Sequence, residues 1–265
     1  MEKQIIWRGL LAGASAGVLA FLFARIFVEP QIERAIGYED GVASAHEAVE
    51  AAAGAGHSHG GEGGGFTRAI QMNIGMGLGV LLFSLAIAAL FAVVFAVAYG
   101  RVGDISARLL SLYVAGGMLL SLYVVPSLKY PASPPALSLD ETIRQRTLLY
   151  LLLVVLSVAL LVGAVYLGRR LVARLGTWNA ALAAAGGYVV AVAVVMLVLP
   201  TINETPRPMV DDAGTIVYEG FPADVLYEFR LYSLGTQVVI YATIGLVFGA
   251  LVSRLLGERK HSFAE

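Results

Sequence analysis

The chain of 265 residues is 58% hydrophobic and only 14% charged. A soluble domain carries about 25% charged residues, so this one lacks the polar surface to cover a soluble core and reads as an all-α, polytopic protein of the lipid bilayer. Its net charge of −1 argues against a nucleic-acid partner, and the absence of cysteine excludes disulfides, thiolate metal sites, iron–sulfur clusters and a cysteine nucleophile.

Stretches free of Asp, Glu, Lys and Arg predict six transmembrane helices within a single integral membrane domain, 1–265. The first, Gly9–Ala24, is short, but Ile5, Ile6 and Trp7 extend it on one side and Ile26, Phe27 and Val28 on the other, with Arg8 and Arg25 snorkelling. A cleaved signal peptide is the weaker reading, because the apolar run before Ala16 is too short. An outer loop, 29–68, follows. It carries Glu39, Asp40, His46, Glu47 and Glu50, with a short helix expected over Ala43–Ala53, and then a glycine-rich stretch holding His57, His59 and Glu62. Glycine loses much entropy on ordering, so that stretch cannot be rigid through its own backbone. The second span is Ala69–Gly100. The third, Leu109–Leu128, leads into a loop punctuated by Pro126, Pro131, Pro134 and Pro135. The fourth is Thr147–Gly168 and the fifth Leu175–Asn203. A last outer loop runs to Asp224, ahead of the sixth span, Leu231–Ser253.

Charge orients these spans. One side carries ten bases and four acids, net +6; the other carries eight bases and fifteen acids, net −7. Lys and Arg near span ends mark the cytoplasmic face, which predicts a multi-pass protein of the plasma membrane with both termini in the cytoplasm. Trp7, Tyr99, Tyr166 and Trp178 fall at the inner interface. The outer ends suggest a repeat. Odd spans end near Pro30, Pro126 and Pro200, and even spans begin near Arg68, Arg146 and Arg230. Three parallel two-helix hairpins would place a site at the repeat interface, as in other transporters, although proline and arginine also favour span ends for their own reasons.

Enzyme signatures fail on context. Gly13-Ala14-Ser15-Ala16-Gly17 matches a nucleophile elbow, but it lies inside a span and no span contains histidine. It reads instead as a small-residue packing face, as do Gly75-x-x-x-Gly79 and Gly245-x-x-x-Gly249. No phosphate-binding G-x-x-x-x-G-K-[ST] is present. The chain is therefore not expected to be an enzyme.

Two groups of residues remain. His46, His57 and His59 with Glu47, Glu50 and Glu62 form a metal-capture set, because neutral imidazole and carboxylate together take divalent transition metals; the plainer reading is a polar linker. Arg230, Ser233, Gln237 and Tyr241 share one face of the sixth span, and Arg68, Gln71, Met72 and Gly75 one face of the second, with Met76 a turn beyond Met72. Polar stripes inside a membrane face protein or water. They predict an outward vestibule in which Glu204 partners Arg230 or a cation, or else structural glue.

These segments resemble the CbtA family of predicted cobalt transporter subunits. The resemblance is carried by Glu29-Pro30-Gln31-Ile32-Glu33-Arg34-Ala35-Ile36, by Arg68-x-x-Gln71, by Leu128-Lys129-Tyr130-Pro131-Ala132-x-Pro134-Pro135, and most specifically by Leu199-Pro200-x-x-Asn203-Glu204-x-Pro206 and Phe221-Pro222-Ala223-x-x-Leu226-x-x-Phe229-Arg230-x-x-Ser233-Leu234-x-x-Gln237. It implies Co(II) uptake for cobalamin synthesis, with Co(II) as substrate and no permanently bound cofactor. It also implies a small one-span, histidine-bearing partner like CbtB. A homo-oligomer, a permease for another cation such as Ni(II) or for a small solute, and a non-transporting scaffold for that small subunit stand as alternatives. On this reading Asn203, Glu204, Arg230, Ser233, Gln237, Gln71, Met72, Met76 and Glu29 line the substrate path. Ser133, Tyr227 and the insertion Pro208–Glu219 depart from the family's pattern.

Overall fold

In hydrocarbon every backbone N–H and C=O must be satisfied within the chain, so the long runs of Leu, Val, Ala and Phe fold as helix. A computed structural model describes residues 2–52, 67–103, 105–135, 137, 140–211 and 213–257. Five of its helices are long and apolar enough to cross a membrane: α1 (Lys3–Ala51), α2 (Arg68–Ala98), α3 (Ala107–Lys129), α4 (Glu141–Val198) and α5 (Ala223–Leu255).

α4 is not one rod. Gly176 leaves helical geometry at φ 72° and ψ 167°, a left-handed φ that suits glycine. The two arms it joins lie against each other: the Ser157 and Tyr188 hydroxyls are 2.8 Å apart, and a Cβ on Gly168 would come 3.0 Å from that of Ala184. The arms correspond to the fourth and fifth predicted spans, met here as one helical element with a reversal inside it.

The first predicted span should stop at Pro30, and it does not. α1 has 49 residues, about 73 Å at 1.5 Å per residue and more than twice the thickness of the hydrocarbon. A π-helical turn over Ala24–Val28 precedes the proline, with the Glu29 amide reaching back five residues to the Ala24 carbonyl. The widened turn absorbs a ring that would break an α-helix. The short helix expected at Ala43–Ala53 is thus the far end of α1. Pro126 sits in α3 in the same way, behind a π-helical turn over Leu119–Val124. Having no N–H, Pro126 cannot serve the Leu122 carbonyl four residues back, and that oxygen accepts from the Tyr150 hydroxyl at 3.1 Å.

Small residues set the closest packing. Cβ atoms placed on Gly9 and Gly13 would lie 2.9 and 2.6 Å from the Cβ atoms of Ala92 and Ala88, and one on Gly17 would lie 3.0 Å from the Leu81 Cα, so α1 and α2 touch along a ladder only glycine permits. Gly245 and Gly249 do the same for α5 against Ala115 and Ser111 of α3, where the Ser111 hydroxyl donates to the Gly245 carbonyl at 2.7 Å. Gly79 is different: no described neighbour lies within 4 Å. The expectation that Gly75 and Gly79 form a packing face is not met within this chain, because α2 turns that face away from the bundle. Phe91 and Phe95 meet Phe248 edge-on at 5.0 and 4.9 Å, closing the core between α2 and α5.

Beyond the bundle, the outer part of α1 builds a second small core of Ala35, Tyr38, Leu137, Phe221 and Val225. The insertion forms a two-stranded antiparallel hairpin, β1 (Met209–Val210) and β2 (Ile216–Tyr218). Tyr218 packs on Tyr38 with ring centroids 5.5 Å apart, and the Tyr38 hydroxyl donates to the Glu219 carbonyl. Arg34 of α1 pairs with Asp224 and, at 3.6 Å, with Glu228 of α5.

Candidate functional site

Only two acids among the described residues are buried, Glu29 and Glu204, at 2% and 8% exposure. Both sit at the outer ends of the bundle and both are held by arginine. The Arg68 guanidinium pairs with Glu29 Oε1, while Glu29 Oε2 is buried with no hydrogen-bond partner. Glu204 accepts from Arg146 on one oxygen and from the Thr142 hydroxyl on the other. Arg230, expected as its partner, instead donates Nε to the Ala132 carbonyl at 3.3 Å.

Glu204 nevertheless lines the same cavity as Arg230. It is small, about 30 Å³, and includes Tyr130, Ser133, Arg146, Asn203 and Thr205. It forms because the segment after α4 is pinned against the end of α3: Tyr130 donates to the Pro200 carbonyl at 2.7 Å and Lys129 to the Thr201 hydroxyl at 2.8 Å. Burial holds the Tyr130 phenol above its ordinary pKa, so it stays a donor at neutral pH. Ser133, a departure from the family's pattern, accepts from Arg146 at 2.9 Å and so helps aim that guanidinium at Glu204. Tyr130 and Arg146 also line a second, larger cavity of about 290 Å³ with Tyr123, Ser127, Thr147 and Tyr150. It lies between α3 and the first arm of α4, and the Ser127, Tyr130, Thr147 and Tyr150 hydroxyls on its wall each donate to a backbone carbonyl.

The electrostatics limit what this arrangement holds as it stands. Two guanidiniums and one carboxylate face the small cavity. At an effective dielectric of about 20, a unit charge pair at 4 Å is worth about 4 kcal/mol. A dication would thus gain about 8 kcal/mol from Glu204 and lose about twice that to the arginines. As it stands, the small cavity therefore repels a divalent ion.

The other predicted residues are spread. Ser233 and Gln237 are half-buried on α5, lining neither cavity. Gln71 is exposed; Met72 and Met76 are half-buried. Met72 Sδ lies 3.7 Å from Arg25, whose Nε also reaches Asn73. His46 is exposed on the outer part of α1 beside a cavity of about 420 Å³ shared with Glu39, Arg207, Met209 and Tyr218. Glu47 and Glu50 are exposed on the same helix. His57, His59 and Glu62 lie outside the described residues. Among the described residues no three His, Asp or Glu side chains converge on a metal position. Tyr227 is 66% exposed and takes no part in the site. The residues not anticipated are Arg146 as the partner of Glu204, Thr142, and the phenols Tyr123 and Tyr150. Arg146 stood out in sequence only as a span-end marker.

A protein-family model described as "Probable cobalt transporter subunit (CbtA)" matches residues 2–253. No curated protein and no solved structure matches the chain.

Proposed function

The chain belongs to the CbtA family of probable cobalt transporter subunits, and on that premise we propose that it is a Co(II) permease, or the membrane subunit of one, bringing the ion in for cobalamin synthesis. A subunit works in a transport complex; a small one-span, histidine-bearing protein of the CbtB kind would supply a second source of metal ligands. The arms of α4 counted separately give six crossings, arranged as three parallel hairpins, with both termini in the cytoplasm of a plasma-membrane protein.

The observation that carries this reading is Glu204, a buried carboxylate at the outer mouth, latched by Thr142 and by Arg146, which also lines the larger cavity beside it. In the latched state the guanidinium occupies the cation's place. An arriving Co(II) competes for the carboxylate, Arg146 releases Glu204 while keeping its bond to Ser133, and the ion passes toward Ser127, Tyr150 and Tyr123. His46, with His57 and His59, collects ions upstream. A dication crossing an inside-negative potential of 100 mV gains about 4.6 kcal/mol, roughly three orders of magnitude in concentration, without nucleotide hydrolysis.

Glu204→Gln keeps the shape and removes the charge. In cells lacking other Co(II) uptake, it should lower Co(II) accumulation at least tenfold at equal abundance in the membrane, with Ni(II) and Zn(II) competing weakly. The pairing of both buried acids with arginine also suits a scaffold that carries no ion. That reading expects Glu204→Gln to reduce assembly with the partner and to leave uptake per assembled complex unchanged.

A further inference from the structure

The cleft between the arms of α4 differs from the outer cavities. Its volume is about 540 Å³, and Leu161, Ala164, Ala181, Ala185 and Val189 line it, with Arg169 at the end near the Gly176 turn. α4 is also the least covered of the five helices: 11% of its most apolar stretch is buried, against 28–44% for the others. Its charge is one-sided. No Asp or Glu occurs between Glu141 and Glu204, whereas Arg169, Arg170 and Arg174 cluster at the turn. The Arg169 guanidinium donates to the Arg101 carbonyl, which fixes it at the cleft, and that of Arg170 lies 4.6 Å over the Tyr166 ring. None of the three has a carboxylate partner among the described residues.

We propose that this cleft binds one anionic phospholipid, with an acyl chain between the arms and the phosphate at Arg169. The cleft is lined almost wholly by apolar side chains and is open along one side, which suits an acyl chain entering from the bilayer. Charge selects the headgroup, since each arginine near the membrane surface favours an anionic lipid about fivefold. Basic recesses between transmembrane helices bind such headgroups. The bound chain completes the packing that Ala164, Ala181 and Ala185 leave open. The site is separate from the metal path and holds whether or not the chain carries Co(II).

The test is native mass spectrometry of the full chain in mild detergent, titrated with phosphatidylglycerol, with phosphatidylcholine of the same acyl chains, and with glycerol phosphate. Wild type should bind phosphatidylglycerol at least tenfold tighter than phosphatidylcholine and should not retain glycerol phosphate. A181L/A185L, which fills the cleft, should weaken phosphatidylglycerol binding at least tenfold with helical content unchanged. R169Q/R174Q should keep a bound lipid and lose the preference between headgroups. Should A181L/A185L lose helix, R169Q/R174Q decides alone. The proposal is overturned by wild-type phosphatidylglycerol binding in a folded A181L/A185L, by a surviving headgroup preference in R169Q/R174Q, or by glycerol phosphate binding as tightly as the lipid. Loss of a dimer in A181L/A185L with lipid binding intact would assign the cleft to a second copy and overturn it too.

Discussion

A carboxylate near the membrane boundary is costly unless it is paired, and Glu29 and Glu204 are both paired with arginine. The difference lies in what remains. Glu204 uses both oxygens, whereas Glu29 leaves Oε2 buried and unpartnered. The Glu204 pair was not legible in sequence because Arg146 lies 58 residues from Glu204, and helical spacing relates only residues a few turns apart. The side chains themselves were legible, as acids and bases at outer span ends. At the same scale, His46 sits on an exposed helical face, free to meet an arriving ion. Replacing His46, His57 and His59 with alanine should lower Co(II) uptake several-fold at limiting metal and leave the saturated rate within about twofold, because imidazole there raises local ion concentration without lining the path. Initial-rate uptake across a metal titration checks this, and an unchanged rate at both extremes would remove the capture role.

Elements were legible where hydropathy decides and illegible where two rules compete. Apolar runs located every long helix. Pro30 reads as a helix end because proline breaks an α-helix, yet it is absorbed behind a π-helical turn whose register no residue pattern announces; the third helix does end within a few residues of Pro126, although it too carries a π-helical turn ahead of its proline. Small residues were ambiguous as well. Gly13-x-x-x-Gly17 and Gly75-x-x-x-Gly79 are the same motif, but only the first meets a neighbour. The contrast makes a paired prediction. Gly13→Val overlaps Ala88 and the Ser84 carbonyl and should destabilise the bundle by about 2–3 kcal/mol, the scale of overpacking a tight contact. Gly79→Val should stay within about 0.5 kcal/mol. Thermal unfolding in detergent compares the two, and equal losses would mean that the α1–α2 ladder does not set the packing.

At the scale of the molecule, a near-zero net charge conceals opposed faces, and the structure adds shape to the acidic one. The outer loops are a built layer. α1 projects beyond the bundle, the hairpin of the insertion packs on Tyr38, and Arg34 ties that layer to α5. The basic turn of α4 lies at the opposite end of the bundle from this layer. The charge-free runs put a turn at 169–174, between the fourth and fifth predicted spans, whereas the structure reverses the chain at Gly176, just inside the predicted start of the fifth. The central claim is that this chain itself carries Co(II) through the Glu204 mouth. Radioactive Co(II) uptake into liposomes holding only the purified chain, under an imposed inside-negative potential, tests it most directly. The account predicts accumulation above protein-free liposomes that rises about tenfold for each 30 mV and is abolished by Glu204→Gln. Accumulation equal to that of protein-free liposomes, or independent of the potential, would contradict it.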